Sequence, residues 1–208
     1  MRASASLATE PRVRRAQPGE GAAVAALLHQ SAVDMYDRFA GGRERALRML
    51  RRAFDGRPNA ASADAVWVVE LDGRLAGAMA GFPVAEAAKR SRAFLRLALT
   101  GSPPWRWPLV LRLFWVGGRA SPGPPARAFY VDALATDPSL RRRGGARALL
   151  AEAERQARAR GLEAVALDTT LGNRAARALY RSTGFAEVGS RPPAHGLPGF
   201  VALVKRLD

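Results

Sequence analysis

Apolar residues recur along this chain with two periods, and the switches between them predict its elements. Alternating or continuous apolar runs mark strands at Val13 to Ala16, Ala65 to Leu71, Leu75 to Phe82, Phe129 to Thr136, Ala164 to Thr169, Ala186 to Gly189 and Phe200 to Val204. Helical spacing of Val24, Leu27, Leu28 and Met35 predicts one helix over about Gly21 to Arg38. Gly41-Gly42 breaks it, and Met49, Leu50 and Phe54 give an apolar side to a second helix from Glu44 to Phe54. Asp72-Gly73 is a hairpin signal between the second and third strands. Two further helices, about Ala85 to Leu99 and Trp107 to Val116, fall between the third and fourth strands and are followed by the Pro/Gly linker Ser121 to Pro125. A helix from Ala146 to Arg160 buries Leu149, Leu150, Ala153 and Ala157 and ends at Gly161. The last helix is capped by Asn173, runs through Arg181 and stops at Gly184.

Strand, helix, strand at these lengths implies a right-handed parallel crossover. The fold class is therefore α/β: a mixed central sheet flanked by helices, with a helical insertion over residues 83–127. Residues 1–11 read as a flexible tail and 12–208 as a single domain. Within the central strand, alternation places Tyr130, Asp132 and Leu134 on one face.

Between that strand and the following helix lies Arg141-Arg142-Arg143-Gly144-Gly145-Ala146. Glycine lets backbone approach a ligand closely, and the first turn of a helix offers free N–H groups at the positive end of its dipole. The stretch reads either as a backbone anion site suited to a pyrophosphate, rimmed by arginines, or as a basic loop capping a surface helix. Neither G-x-G-x-x-G nor G-x-x-x-x-G-K-[ST] occurs here.

The run Arg141 through Gly144 to Ala146 resembles the Q/R-x-x-G-x-G/A signature of the GNAT superfamily of acyl-CoA-dependent N-acyltransferases. Leu134-Ala135-Thr136-Asp137-Pro138 resembles the strand end that leads into it, and Asn173 to Tyr180 with Gly184-Phe185 resembles the family's second motif. The resemblance covers residues 129–189 well and 12–82 loosely, and leaves 83–127 unexplained.

The resemblance implies a GNAT-like sheet with acetyl-CoA in a cleft between the strands ending at Thr136 and Thr169. Backbone groups of Leu134, Ala135 and Thr136 would hold the pantetheine arm, and N–H groups from Arg142 to Arg147, through Arg143, Gly144, Gly145 and Ala146, the pyrophosphate. Asn173 would bind CoA, cap its own helix, or both. An amine would attack the thioester directly. Tyr180 would be the general acid, or else a packed aromatic. Asp132 would be the base or an anchor for a cationic acceptor. Asp168 matches a position that is acidic and catalytic in some members, and His195 is a further candidate base. Gly145 stands where an apolar residue is usual, and a helix-interior glycine costs about 1 kcal/mol relative to alanine, so this loop is expected to be loose without ligand. The reading is an N-acyltransferase transferring acetyl from acetyl-CoA to a primary amine of a small molecule. The alternatives are a protein or peptide N-acetyltransferase, or a non-catalytic acyl-CoA-binding module.

Composition narrows this further. The chain has no cysteine, which removes disulfides, a thiolate nucleophile and thiolate metal ligands, and with His29 and His195 as its histidines no metal is expected. The net charge of +15 suggests a polyanion partner, but Lys89 and Lys205 are the lysines and arginine is spread along the whole chain, so nucleic acid is not expected. No apolar run is long enough for a membrane span, and Met1 to Pro11 lack a signal-peptide core, so a cytoplasmic enzyme is expected. The insertion has Glu86 as its one acid against eight basic residues, and carries Phe94, Trp105, Trp107, Phe114 and Trp115. It reads as a lid or acceptor pocket, with a homodimer contact or a membrane-surface helix as alternatives. In the lid reading Trp105, Trp107 or Trp115 walls the acceptor cleft, and Met35, Tyr36 and Phe39 face substrate or core.

Overall fold

The computed structural model describes residues 10–208, so most of the expected tail lies outside the described residues. In chain order the elements are β1 (Arg12–Arg15), α1 (Gly21–Ser31), α2 (Val33–Ala40), α3 (Arg43–Phe54), β2 (Val66–Leu71), β3 (Arg74–Pro83), α4 (Val84–Thr100), α5 (Trp107–Gly117), β4 (Ala128–Thr136), α6 (Gly145–Arg158), β5 (Ala164–Thr170), α7 (Arg174–Ser182), β6 (Ala186–Arg191) and β7 (Phe200–Arg206). The strands form one sheet in the order β1-β2-β3-β4-β5-β7-β6. Every pairing is antiparallel except β4 with β5, which are joined through α6 as a parallel crossover requires.

Both faces of the sheet are covered. On one, Trp67, Val69, Met79, Phe129, Val131, Val165 and Leu203 pack against Leu149 and Leu150 of α6 and Tyr180 of α7. On the other, Val66, Val68, Ala78 and Ala80 pack against Val24 and Leu28 of α1 and Leu50 and Phe54 of α3. Small residues in β3 let the helices on this second face approach closely.

Two sequence expectations are corrected here. The helix predicted over Gly21 to Arg38 is two helices, broken at Ala32. The Ser31 hydroxyl donates to the Leu28 carbonyl at 2.7 Å, the acceptor that the Ala32 N–H would use in an unbroken helix, and the Ala32 N–H turns to the His29 carbonyl instead. Nor do Tyr130, Asp132 and Leu134 share a face. Ala80 opposes Ala133 while Gly81 opposes Val131, so Asp132 is an extra residue bulged out of the β3–β4 ladder. The bulge reverses the alternation: Tyr130 opposes Phe82 on the α4 side, whereas Leu134 opposes Met79 on the α6 side.

The segment between β3 and β4 begins its helix directly after the strand. Arg90 of α4 is anchored to Glu86 at 2.7 Å, to Asp64 at 2.8 Å and to the Asn59 carbonyl at 3.1 Å. Val110 of α5 is fully buried with Ala40, Met49 and Ala98, so α4 and α5 cover α2 and α3 on the second face. The Trp107 indole donates to Leu99 and Ser102 carbonyls and closes the α4–α5 turn. Trp105 is 80% exposed. Of the three candidate tryptophans, Trp115 lines a cavity.

Asn59 holds the loop that receives Arg90. Its side chain donates to the Ala53 and Arg57 carbonyls and accepts from the Ala61 N–H, each at 2.8 Å. Asn59→Ala would strand buried partners, and it is expected to cost about 2–4 kcal/mol in urea denaturation; a change within 0.5 kcal/mol, roughly the scatter of surface substitutions, would contradict this account.

Candidate functional site

The site is built where β4 and β5 part. Their pairing runs from Ala128 opposite Ala164 to Val131 opposite Leu167 and stops there, yet β4 continues to Thr136 against β3, and β5 continues to Thr170 against β7. The β5-facing backbone of residues 132–136 is therefore a strand edge without a strand partner among the described residues. Such an edge accepts an extended amide-bearing ligand as an added strand. Leu134, Ala135 and Thr136 lie on it.

Beyond Thr136 the chain makes a tight turn in which Asp137 accepts from the Ser139 N–H and hydroxyl, at 2.8 and 2.6 Å. Arg142 and Gly144 then take left-handed φ values of 63° and 85°. No side chain among the described residues caps α6, and its first internal bond runs from the Ala148 N–H to the Gly144 carbonyl at 3.0 Å. The amides of Gly145, Ala146 and Arg147 thus point out at the positive end of a helix of 14 residues.

Gly145 does not behave as expected from its helix propensity. It is the first residue of α6, not an interior one, and it is buried; a Cβ there would lie 3.3 Å from Val69 Cγ1. Its lack of a side chain seats the helix end on β2, so the interior-glycine penalty does not apply.

The three arginines divide. Arg143 is tied to Asp72 in the β2–β3 hairpin at 2.7 Å. Arg141 donates to the Thr136 carbonyl at 3.3 Å. Arg142 makes no side-chain bond among the described residues and is exposed. Arg147 reaches Ser182 at 3.1 Å and links α6 to α7. Asn173 caps α7, accepting from the Ala176 N–H at 3.2 Å, and donates to the Thr169 hydroxyl at 3.2 Å.

Between the parted strands sits a cluster of ionisable groups. The Tyr130 hydroxyl donates to Asp168 at 2.7 Å, and the Ser121 hydroxyl, in the linker after α5, lies near this carboxylate while donating to the Pro122 carbonyl at 3.4 Å. Burial raises Asp168 and the two hydroxyls pull it back down. Asp132 lies open to water at the cleft, yet protein atoms crowd around it; this thin hydration, and next the charge of Asp168, push its carboxyl up to about 7. Burial and then Asp168 push Tyr180 up to about 12. Burial likewise raises Tyr130 and Tyr36, with Asp132 adding to both. The charge of Asp168 bears on Asp132, so the protonation of one carboxyl depends on that of the other.

The structure thus brings Asp132, Asp168 and Tyr180 together, with Tyr36 and Tyr130 beside them. Tyr36 was an open choice between core and substrate in the sequence; it packs on the core and also feels Asp132. Phe39 is core, stacked on Phe94. Ser121 carries no local signal, because its role depends on where the linker crosses the sheet. His195, with φ of 53°, is in the β6–β7 loop and faces a cavity of about 440 Å³ shared with the C-terminal end of α5. Arg38 of α2 holds that loop through the Gly196 carbonyl at 2.5 Å.

A family model described as "Acetyltransferase (GNAT) family" matches residues 31–185. Among solved structures, an N-acetyltransferase from Staphylococcus aureus Mu50 superposes with a TM-score of 0.72 at 18% identity, over 93% of this chain and 99% of that one. A structure titled only as an acetyltransferase gives 0.68 at 21%, over 95% and 100%. The ribosomal-protein-S18-alanine N-acetyltransferase from Escherichia coli gives 0.54 at 15%, over 94% and 93%. At these identities the likeness is one of fold. No curated protein sequence matches the chain. Among the described residues no helix is long and apolar enough to cross a membrane.

Proposed function

The chain belongs to the GNAT acetyltransferase family and is an acetyl-CoA-dependent N-acetyltransferase, and from that premise we propose that it acetylates the primary amine of a small molecule by direct attack in a ternary complex. The observation that carries the proposal is the juxtaposition of a free β4 edge, an uncapped α6 N-terminus and a carboxylate pair at the point where β4 and β5 separate.

In this reading the pantetheine arm pairs with the backbone of Leu134, Ala135 and Thr136. The pyrophosphate sits on the amides from Arg142 to Arg147, with Arg142 as the free cation at the rim. Asn173, committed to capping, supports α7 more than it contacts CoA. The ammonium loses a proton to the Asp132–Asp168 pair. The amine nitrogen then attacks the thioester carbon, whose oxygen is held by a backbone N–H. The C–S bond breaks, the thiolate takes a proton from Tyr180, and the second proton of the acylated nitrogen passes to the Tyr180 phenolate, leaving the neutral amide and CoA thiol. A small acceptor is favoured over a polypeptide because α5 and the β6–β7 loop that Arg38 pins stand on two sides of a cavity of limited size.

A thiol-release assay with acetyl-CoA against a panel of amines, with products identified by mass, tests the proposal. Release that needs an amine and yields its N-acetyl product supports it. Amine-independent hydrolysis, or a stably acetylated enzyme, would sink it.

Gly144→Val tests the loop separately. A β-branched residue is strained at φ of 85°, and turning the amides away is expected to weaken acetyl-CoA binding roughly tenfold or more, since each tenfold is about 1.4 kcal/mol. Calorimetry reads this directly, and an unaltered Kd would remove the loop from the site.

A further inference from the structure

The cavity beside the carboxylate pair has an unbalanced charge. One wall is Trp115 and Arg119, at the end of α5; the other is Arg191, His195 and Leu197, from the β6–β7 segment. The Arg119 guanidinium lies 4.0 Å from the centre of the Trp115 ring and donates to the Trp115 carbonyl at 3.5 Å. Those contacts orient it without neutralising it. Arg191 forms no ion pair among the described residues, and no carboxylate lines the cavity. Other arginines at well-packed positions carry acids, Arg90 with Asp64 and Glu86, Arg14 with Glu20 and Glu70, and Arg177 with Glu187. Here two planar cations flank a half-open space with an indole as its apolar wall.

The same space abuts the opposite charge. Ala120, in the cavity wall, is followed by Ser121, whose hydroxyl lies near Asp168 and helps to lower it. The sheet fixes the separation. Asp168 opposes Ala202 on β7, which opposes Gly189 on β6, and Arg191 lies two residues farther along β6, opposite Phe200. Two strand spacings and two residues of rise put the Asp168 and Arg191 backbones about 12 Å apart on one face of the sheet.

We propose that the acceptor is an amine with an anionic far end: a primary amine placed at Asp132 and Asp168, an apolar body against Trp115, and a carboxylate held between Arg119 and Arg191. This rests on the N-acetyltransferase reading above. A guanidinium presents a planar fork that matches a carboxylate, while a second cation at that end would be repelled.

The test compares 8-aminooctanoate, octylamine and 1,8-diaminooctane as acceptors, which share one body and differ at the far end. The expected kcat/KM for 8-aminooctanoate exceeds that for octylamine by roughly tenfold to a hundredfold, the range for a charge-assisted pair, with the diamine last. Arg119→Gln and Arg191→Gln are expected to bring this ratio toward one by raising KM for 8-aminooctanoate, with acetyl-CoA affinity unaltered; Arg191→Lys keeps part of the preference. A ratio of one or less in the wild type, or a double glutamine variant that keeps the wild-type ratio, overturns the proposal. A binding arm separates it from the reading beneath it. 8-Acetamidooctanoate, titrated by calorimetry, is expected to bind the wild type and to lose that binding in Arg191→Gln. If it does so while no amine is acetylated, the anion site stands and the acetyl-transfer reading falls. If amines are acetylated without regard to the far end and 8-acetamidooctanoate fails to bind, the reverse holds.

Discussion

Asp132→Asn is expected to lower kcat/KM by about 10²–10⁴-fold, the usual scale for losing a general base, while acetyl-CoA affinity stays at the wild-type value. The asparagine keeps the shape and loses the capacity to take a proton. The pH dependence follows from the raised carboxyl. With Asp132 at about 7, the wild-type rate should fall as pH drops through that value, because the protonated acid cannot accept the ammonium proton. Asp168→Asn removes the second of the two causes of that rise, the like charge, and should move the acidic limb to lower pH; the crowding by protein atoms, the larger cause, remains. A stability arm checks the same assignment. An acid whose folded pKa lies above its unfolded one binds its proton more tightly in the native state, so its contribution to stability is present below about 4 and is lost as pH rises through about 7. Asp132→Asn should therefore be more stable than wild type to urea at pH 8 and no more stable at pH 3. Full activity in the variant, or an acidic limb that ignores both substitutions, would return Asp132 to a binding role.

The order of elements was legible from periodicity alone, because each strand and helix carries its own apolar signal. The glycine turn at Arg141 to Ala146 was legible for a similar reason: the unusual backbone needed there leaves glycine in the sequence. The bulge at Asp132 was not. It is a property of the pair, set by how Ala80 and Gly81 of β3 meet β4, and a single strand shows no trace of it. That one residue carries the acidic side chain into the parted strands and reverses the faces of Tyr130 and Leu134. The break at Ala32 turns on one competing hydroxyl, Ser31. The contacts that border the acceptor side, Tyr130 with Asp168 and Arg38 with the Gly196 carbonyl, join segments far apart in the chain. Charge alone marked the helical segment as basic; only the fold shows which arginines have acids and brings Arg119 and Arg191 to one cavity.

Tyr180→Phe is expected to lower kcat by about 10²–10⁴-fold with acetyl-CoA binding and thermal stability close to wild type. The ring is 6% exposed and packs on Phe185 with centroids 6.0 Å apart, and phenylalanine keeps that packing. What is lost is the hydroxyl, which feels the charge of Asp168. At about 12 this phenol is protonated at every physiological pH, so it is always available as a donor. Giving its proton to an ordinary thiolate, near 8.5, would be uphill by roughly 5 kcal/mol. The carboxylate pair offsets part of this. The charge of Asp168 is one of the two causes that hold Tyr180 up, and the pair has just taken a proton from the attacking ammonium when the thiolate departs. Deprotonating the amine thus makes Tyr180 a stronger acid at the moment its proton is needed, and the two proton transfers are linked through one pair of side chains. Fluorinated tyrosine at position 180 tests the link without emptying the site. The wild type should show no alkaline loss from this group up to about pH 11, whereas a more acidic phenol should bring an alkaline limb into the measurable range. In Asp168→Asn the residual activity should depend less on the phenol's acidity, since the charge that opposes ionisation is gone. A wild-type kcat in Tyr180→Phe would reduce Tyr180 to a packed aromatic, and an unmoved alkaline limb in the fluorinated protein would reject it as the acid.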